Sequence, residues 1–508
     1  MVTPTATQPK RVAIIGSGLA GITMAYLLTH PDTTAAANTY FDVTIYEAAP
    51  TVGMDSHGMD VPCGCDQCAA ERSRSPSPVS SPTMTSPQGS GQVGHVQQRM
   101  DSPFRMFIDT YYGTLVSMYK HLGIPFARAN LDVCFARLAP SSTLGGNLQP
   151  AEVIFSDKFY SLGSRILRIP SVLLRPWTQW STFRLYLDRK RFISTARRLR
   201  TARQLPSIQC TLGEYLTREG YSDLFIYDHL VPVLSVYMSA KHDRILAMPA
   251  ATILDVYGRP ESHVGWCTVT DGIATVCREL LKYLPKSKQR WGTKIQHPDT
   301  YDLVILATPA SVSMRLISRP PRPSHTPRTS SSIWRTLPTT SVNHLRTLPA
   351  HCPPLLQTTN PLSAIDPAKI QGKFDFPRAR LTLDTERALD AVYKLQGMGN
   401  LFIIGAPMFP GVPLLEGCVA SAVDVAGRLG VQRPWKVSDG EYIGYQEGRQ
   451  GGSIVEAFLR GELTYCDPAG SRYATGEQRG PRGWTKWGAV AAVLVGVVGA
   501  VAYKVIEV

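Results

Sequence analysis

Apolar positions along this chain fall into three patterns, each predicting a different element. Short unbroken runs occur at Val12 to Ile15, at Val43 to Tyr46, in Tyr301-Asp-Leu-Val-Ile-Leu-Ala307-Thr308-Pro309 and in Asn400-Leu-Phe-Ile-Ile-Gly405. They predict strands buried on both faces, as a parallel sheet requires. Helical spacing predicts an Ala/Leu-rich helix from Leu19 to about His30 and another through Leu115, Met118, Tyr119 and Leu122, stopped by Gly123-Ile-Pro125. Further helices are expected over Ser181–Arg203, over Thr211–Glu219, from Ser222 onwards and from Leu415 to Leu429. Pro232 should break the run that starts at Ser222, because proline lacks the amide hydrogen of a helix interior. Two stretches show neither period: Pro62–Gln98, rich in Ser, Pro, Gly and Gln, and Ser318–Pro354, crowded with Pro, Ser, Thr and Arg. Their composition builds no core, so both read as inserted or spurious segments, the first as a disordered loop.

The first apolar run leads straight into Gly16-Ser17-Gly18-Leu19-Ala20-Gly21, and the second ends at Glu47-Ala48. A strand, a GxGxxG turn, a helix and a second strand with an acidic tip form the context that gives this motif meaning. The first glycine allows the tight turn, the second lets a pyrophosphate approach the backbone, and the third lets helix and strand pack closely. The helix N-terminus offers free N–H groups and partial positive charge to the phosphates. Glu47 can accept from a ribose hydroxyl, which favours an adenosine without a 2′-phosphate.

With 508 residues, 44% hydrophobic and 18% charged, the chain has room for two or three domains with a sizeable core. The net charge of +14 comes with no nucleic-acid motif, so no nucleic-acid partner is expected, and an anionic membrane fits better. The polar start, Met1 to Lys10, carries no apolar core of a secretory leader, and the ten cysteines follow no disulfide framework. Cys63, Cys65 and Cys68 lack a second ligand pair, so no metal is expected. In Ser181–Arg203, Leu185, Phe192, Ala196 and Leu199 share one face and basic residues crowd the rest. That pattern suits a membrane surface or the solvated face of an ordinary helix. Near the end, Trp484-Thr-Lys-Trp487 leads into Gly488–Tyr503, sixteen residues without a charge. Residues 484–504 therefore read as a single C-terminal membrane anchor, or else a buried core helix.

The order of these motifs, with Val52-Gly-Met-Asp-Ser-His57, Thr211-Leu-Gly-Glu-Tyr-Leu216, Met248-Pro-Ala250, Trp266-Cys-Thr-Val-Thr-Asp-Gly272 and Leu395-Gln-Gly397, resembles the FAD-dependent amine oxidase and phytoene-desaturase-like superfamily. More narrowly it resembles the bacterial and fungal branch of NAD/FAD-binding flavoproteins. The resemblance implies an α/β fold: a Rossmann-type FAD-binding domain with an inserted α+β substrate domain, followed here by the C-terminal transmembrane helix. The FAD-binding domain would comprise residues 1–61, 266–317 and 399–432, and the substrate domain 99–265 and 358–398. Segments 62–98 and 318–357 would interrupt them, and 433–483 would link to the anchor.

The resemblance also implies site residues. Gly16, Gly18 and Gly21 would hold the FAD pyrophosphate and Glu47 the ribose, while Gly53 and Met54, at a second glycine turn, would approach the flavin side. Ile295, on a strand, would offer backbone to the adenine, and Ala307 and Thr308 would line the dinucleotide. Gly405, Glu416 and Gly417 would receive the ribityl–pyrophosphate portion at a helix N-terminus. Where the family often carries paired glycines, this chain has Gly53-Met54. Candidates for the flavin chamber are Asp55, Ser56, His57, Arg105, Tyr111, Tyr112 and the loop Met408–Pro413, with His57, Arg105 and Tyr111 as catalytic candidates. The activity implied is noncovalent FAD-dependent oxidation of a small or lipidic hydrophobic substrate by hydride transfer at a membrane. A peroxide-releasing amine oxidase and a noncatalytic, membrane-tethered flavin-fold protein are the other readings. The oligomeric state is not fixed by these patterns.

Overall fold

The computed structural model describes residues 8–32, 40–55, 58–61, 98–102, 105–108, 110–129, 134–137, 152–156, 176–260, 265–295, 300–317, 339–341, 355–359, 365–376, 378–435 and 453–460. Residues 1–465 cluster as one compact unit. The stretch 62–97, His57, the cysteine triplet and the segment 484–504 lie outside the described residues.

The four apolar runs become parallel strands, and the polar pair Gln289–Arg290 adds a fifth. Strands β1 (Lys10–Ile15) and β2 (Phe41–Tyr46) pair in full register, Lys10 opposite Phe41 and Ile15 opposite Tyr46. Strand β3 is only Gln289–Arg290 and lies beside β2; β4 (Leu303–Leu306) pairs with the other side of β1, and β5 (Leu401–Ile403) pairs with β4. The order is therefore β5-β4-β1-β2-β3. The chain runs outward from β1 through β2 to β3, then returns to the opposite side of β1. That reversal opens a crevice beyond the carboxyl ends of β1 and β4, where open α/β sheets bind ligands. The sheet also corrects one expectation: Ile295 stands on no strand, since β3 stops at Arg290 and residues 291–295 form a turn and irregular backbone.

Helix α1 (Leu19–Thr29) is buried at every position from Leu19 to Leu28. An apolar helix without a polar face needs cover all round. It lies among the sheet, helix α2 (Gly113–His121) and a later helix, Leu415–Arg428. Glycine permits this density. Gly16 has φ +105°, and a Cβ there would stand 2.6 Å from the Ala307 carbonyl oxygen; a Cβ on Gly21 would stand 2.0 Å from the Gly16 oxygen.

Helix α3 (Pro176–Thr201), 26 residues long, buries Leu185, Phe192 and Ala196 against α4 (Ala250–Gly258). The Ser222 run does not end at Pro232, which corrects the expected break. Asp223–Phe225 widens into a π turn over Ile226–Leu230, and Val231–Met238 continues as α-helix with Pro232 in its first turn. There the missing amide hydrogen leaves nothing unpaired. Thr211 caps Leu212–Arg218 through a reciprocal box with Glu214. Helix α5 (Leu383–Leu395) approaches α4 where the Thr252 hydroxyl donates to Glu386 at 2.5 Å. Among the described residues, no helix is long and apolar enough to cross a membrane.

Two outcomes follow from this packing. Gly21→Ala should lower stability by at least about 1–3 kcal/mol, the usual cost of overpacking a tight interior, or prevent folding; urea denaturation with no loss would refute the contact. Burial raises the Glu386 carboxyl to about 7, so the folded state holds a proton that the unfolded chain releases nearer 4.5. Stability should therefore fall as pH rises from about 4.5 to about 7. Glu386→Gln should flatten that slope in thermal melts taken across the range, and an unchanged slope would assign it to other groups.

Candidate functional site

The carboxyl ends of the strands bring four distant stretches together. The Gly16 amide donates to the Tyr46 carbonyl (2.8 Å), the Ala307 amide to Ile15 (2.8 Å), the Ile404 amide to Leu306 (2.9 Å) and the Glu47 amide to Arg290 (2.9 Å). Glu47, the glycine turn, Ala307-Thr308 and Gly405 thus stand side by side along one edge.

Gly18 is the telling position. Its backbone is extended (φ −65°, ψ 175°), a conformation open to any residue, and a Cβ added there would meet nothing within 4 Å. Neither strain nor crowding by the protein demands glycine. Gly18 is also the N-cap of α1, whose end has no side-chain cap and no acidic residue in its first turn. Its first amides therefore have no intrahelical acceptor and carry the partial positive charge of the helix end. Gly18, a glycine with no internal reason, thus leaves open space in front of an uncapped helix.

Glu47 flanks this space, half-buried. One carboxylate oxygen accepts from the Ser17 amide (2.9 Å) and hydroxyl (2.8 Å), and the other accepts from the Ala49 amide (2.9 Å). A carboxylate accepts about four hydrogen bonds, so capacity remains for a hydroxyl of a ligand. The Ser17 hydroxyl in turn accepts from the Gly53 amide (2.7 Å), and the Met54 amide donates to the Ser17 carbonyl (3.2 Å). A Cβ on Gly53 would stand 2.6 Å from the Glu47 carboxylate. This second turn is therefore held close by Gly53 alone, without the paired glycines of the family pattern, and Met54 is buried beside it. Ala48 is exposed, while Gly292 and Thr293 donate to Ala49 and Glu47. The turn carrying Ile295 is thereby pinned to this edge although it is not a strand.

On the other side, Gly405 has φ +143°, and its amide donates to the Ser421 hydroxyl oxygen of helix α6 (Leu415–Arg428) at 3.0 Å. A Cβ on Gly417 would stand 2.5 Å from the Ala406 carbonyl, so the bend lies directly on α6. The Cys418 thiol is pushed up to about 11 by burial, beside backbone of Ala406 and Ala20, which ties α6 to α1. Thr308 shares a hydroxyl contact with Ser313 (2.8 Å), and its methyl lies near Gly16.

Three expected site side chains serve the scaffold. The two oxygens of the buried Glu416 carboxylate accept from the amides of Thr114 (3.0 Å) and Leu115 (2.9 Å), capping α2. The Tyr111 hydroxyl accepts from the Val412 amide at 2.9 Å and points its hydrogen at the Val412 carbonyl, 3.4 Å away. Burial raises the Tyr111 phenol above its ordinary range. It therefore clamps the loop Met408–Pro413. Arg105 donates to the Met54 carbonyl (3.2 Å) and so braces the second glycine turn. His57 and Ser56 lie outside the described residues.

Further side chains, unmarked by any sequence motif apart from Ser17, support the site. The Arg259 guanidinium sits 4.9 Å from the centre of the Tyr111 ring and is paired with buried Asp255 at 2.6 Å, which also accepts from Arg200 (3.1 Å). Ser17 and Ser421 bridge backbone turns. Apart from the Asp255–Arg259 pair, one helical turn apart, the partners lie 16 or more residues away and leave no periodic signal.

Residues 14–70 match the family model described as an NAD(P)-binding Rossmann-like domain. No curated protein matches the chain. Among solved structures the chain is similar to a putrescine oxidase redesigned in its cofactor binding, at 11% identity over 83% of this chain and 99% of that one, with a TM-score of 0.46. It is similar to the CLA-producing fatty acid isomerase of P. acnes at 13% identity, over 83% and 99%, with a TM-score of 0.42. It is also similar to cyclohexylamine oxidase from Brevibacterium oxydans at 12% identity, with a TM-score of 0.33; the match covers 59% of this chain and 58% of that one.

Glu416→Ala would leave two buried amides of α2 unpaired, a loss of about 2–4 kcal/mol. Urea denaturation should show that drop. A variant as stable as the parent would mean that the carboxylate does not cap α2.

Proposed function

We propose that this chain is a noncovalent flavoprotein: an FAD-dependent oxidoreductase of the amine-oxidase-like kind, acting on a small or lipidic apolar substrate. The observation that carries the reading is Gly18, a glycine the protein does not need for itself, beside an uncapped helix end at the crevice of a Rossmann-like sheet. The chemistry of this edge suits a dinucleotide. Its pyrophosphate meets the first amides of α1, and its ribose meets the remaining acceptor capacity of Glu47. A 2′-phosphate would meet the same carboxylate and be repelled, which favours FAD or NAD over NADP.

FAD is preferred to NAD because the chain has a second glycine bend, Gly405 on the N-terminal part of α6, beside the first. The motif order of the sequence supports the same choice. When bound, the flavin supplies two-electron acceptance, taking hydride from the substrate. The chain's own residues hold and shield the group. Ser17 and Glu47 fix the adenosine side, Arg105 braces the Gly53-Met54 turn, and Tyr111 keeps the Met408–Pro413 loop in place. Buried Phe409 and Val412 on that loop are apolar, in keeping with an apolar substrate and exclusion of water.

The test is titration of purified, flavin-stripped protein with FAD. Gly18→Ala should weaken binding by about 1–3 kcal/mol, roughly 5- to 150-fold in Kd, while the melting temperature of the apoprotein stays put. Unchanged affinity in the variant, or a folded parent that takes up no FAD, would overturn the reading. With flavin bound, reduction by an apolar substrate without peroxide release supports the oxidoreductase as stated. Peroxide release on amine addition would move it to the amine oxidases, and a flavin that no substrate reduces would make it noncatalytic.

A further inference from the structure

Helix α3 has two faces that serve different environments. Leu185, Phe192 and Ala196 are buried in the protein. The opposite stripe, at i, i+3, i+4, i+7, i+14 and i+15, carries Phe183, Tyr186, Leu187, Lys190, Arg197 and Arg198, all exposed. Phe183 is 50% exposed, Tyr186 37% and Leu187 47%. Single exposed apolar residues are ordinary on a protein surface, whereas three large ones on adjacent turns of one helix form a patch. Among the other large exposed apolar residues of the described chain, no three fall within five positions of one another.

Charge divides along the same helix. Of its ionisable residues seven are basic, and the one acid is Asp188. Asp188 is withdrawn from the outer stripe: it accepts from the Ser222 hydroxyl (2.6 Å) and amide (3.2 Å), pairs with Arg191, and its side chain is only 14% exposed. The outward stripe thus has an apolar first half and a basic second half, with Lys190 lying 5.5 Å from the Tyr186 ring centre. A solvated helix face has no use for the first half. A nucleic-acid surface would call for hydrogen-bonding and basic groups along the whole stripe.

We propose that the outer face of α3 docks on an anionic lipid bilayer. Phe183, Tyr186 and Leu187 enter the headgroup–acyl boundary, and Lys190, Arg197 and Arg198 meet the phosphates and carboxylates of the headgroups. This goes beyond the flavin reading and does not depend on it. It also differs from attachment by residues 484–504, since it requires negative lipid and yields to salt.

The experiment is acetylation footprinting of Lys190 in the full chain by an amine-reactive reagent read by mass spectrometry. Lys286, on a separate turn before β3, is the reference. With vesicles of phosphatidylcholine and about one-third phosphatidylserine, Lys190 should react at least about fivefold more slowly while Lys286 is unchanged. Pure phosphatidylcholine vesicles should give no protection, and high salt should restore reactivity. The double variant Phe183→Ser/Leu187→Ser, altered only at exposed positions, should keep its melting temperature and lose most of the protection. Because the readout is local, a chain held on vesicles through another segment would leave Lys190 reactive. Equal reactivity with and without anionic vesicles, equal protection by neutral ones, or full protection in the double variant would each overturn the proposal. So would protection by a soluble polyanion alone.

Discussion

The rest of this structure depends on one close backbone approach, that of Gly21 in α1 to Gly16 at the end of β1, with Ala307 of the neighbouring strand pressed against both. It sets how near the helix lies to the sheet and therefore where the helix N-terminus points. Any side chain at either glycine would collide with main-chain oxygen at 2.0 to 2.6 Å. Backbone atoms cannot step aside as a long side chain can, so the contact has no soft alternative. Everything proposed for the crevice follows from that fixed distance: the free amides of α1, the reach of Glu47 and the adjacency of Gly405.

Around this contact the protein arranges polar supports, most of them between residues distant in sequence. Ser17 joins the first glycine turn to Glu47 and Gly53, Ser421 joins the Gly405 bend to α6, and Glu416 joins α6 to α2. Tyr111 holds the Val412 loop while Arg259 and Asp255 hold Tyr111 from the α4 side. Each is a buried polar group with a partner, as low-dielectric interiors demand. Together they connect the helical region that includes α3 and α4 with the sheet edge where the dinucleotide would lie.

Much of this was legible in the sequence. Runs such as Val12–Ile15 and Leu303–Leu306 have no polar alternation, so they read as strands with both faces covered. The glycine turn announced itself because three glycines at fixed spacing have few other uses beside a strand. The less legible parts share one cause. The pairing of β4 with β1, separated by nearly the whole helical region, carries no local signature, and β3 is too short to show a period at all. Pro232 looked like a breaker because proline is judged against a regular helix, whereas a π turn moved it into a first turn. Glu416 and Tyr111 looked like site residues because a carboxylate or phenol near glycine suggests chemistry. Only three-dimensional placement shows that they hold α2 and the Val412 loop.

If the crevice grips the adenylate half of FAD, the protein must distinguish FAD from FMN. Both carry the same isoalloxazine, but only FAD has the adenosine and second phosphate that Glu47 and the α1 amides would hold. Calorimetric titration of the flavin-free protein should find FAD bound at least about 100-fold more tightly than FMN, a difference of about 2.7 kcal/mol. Equal affinity for the two would show that the glycine turn and Glu47 take no part, and would contradict the account at its centre.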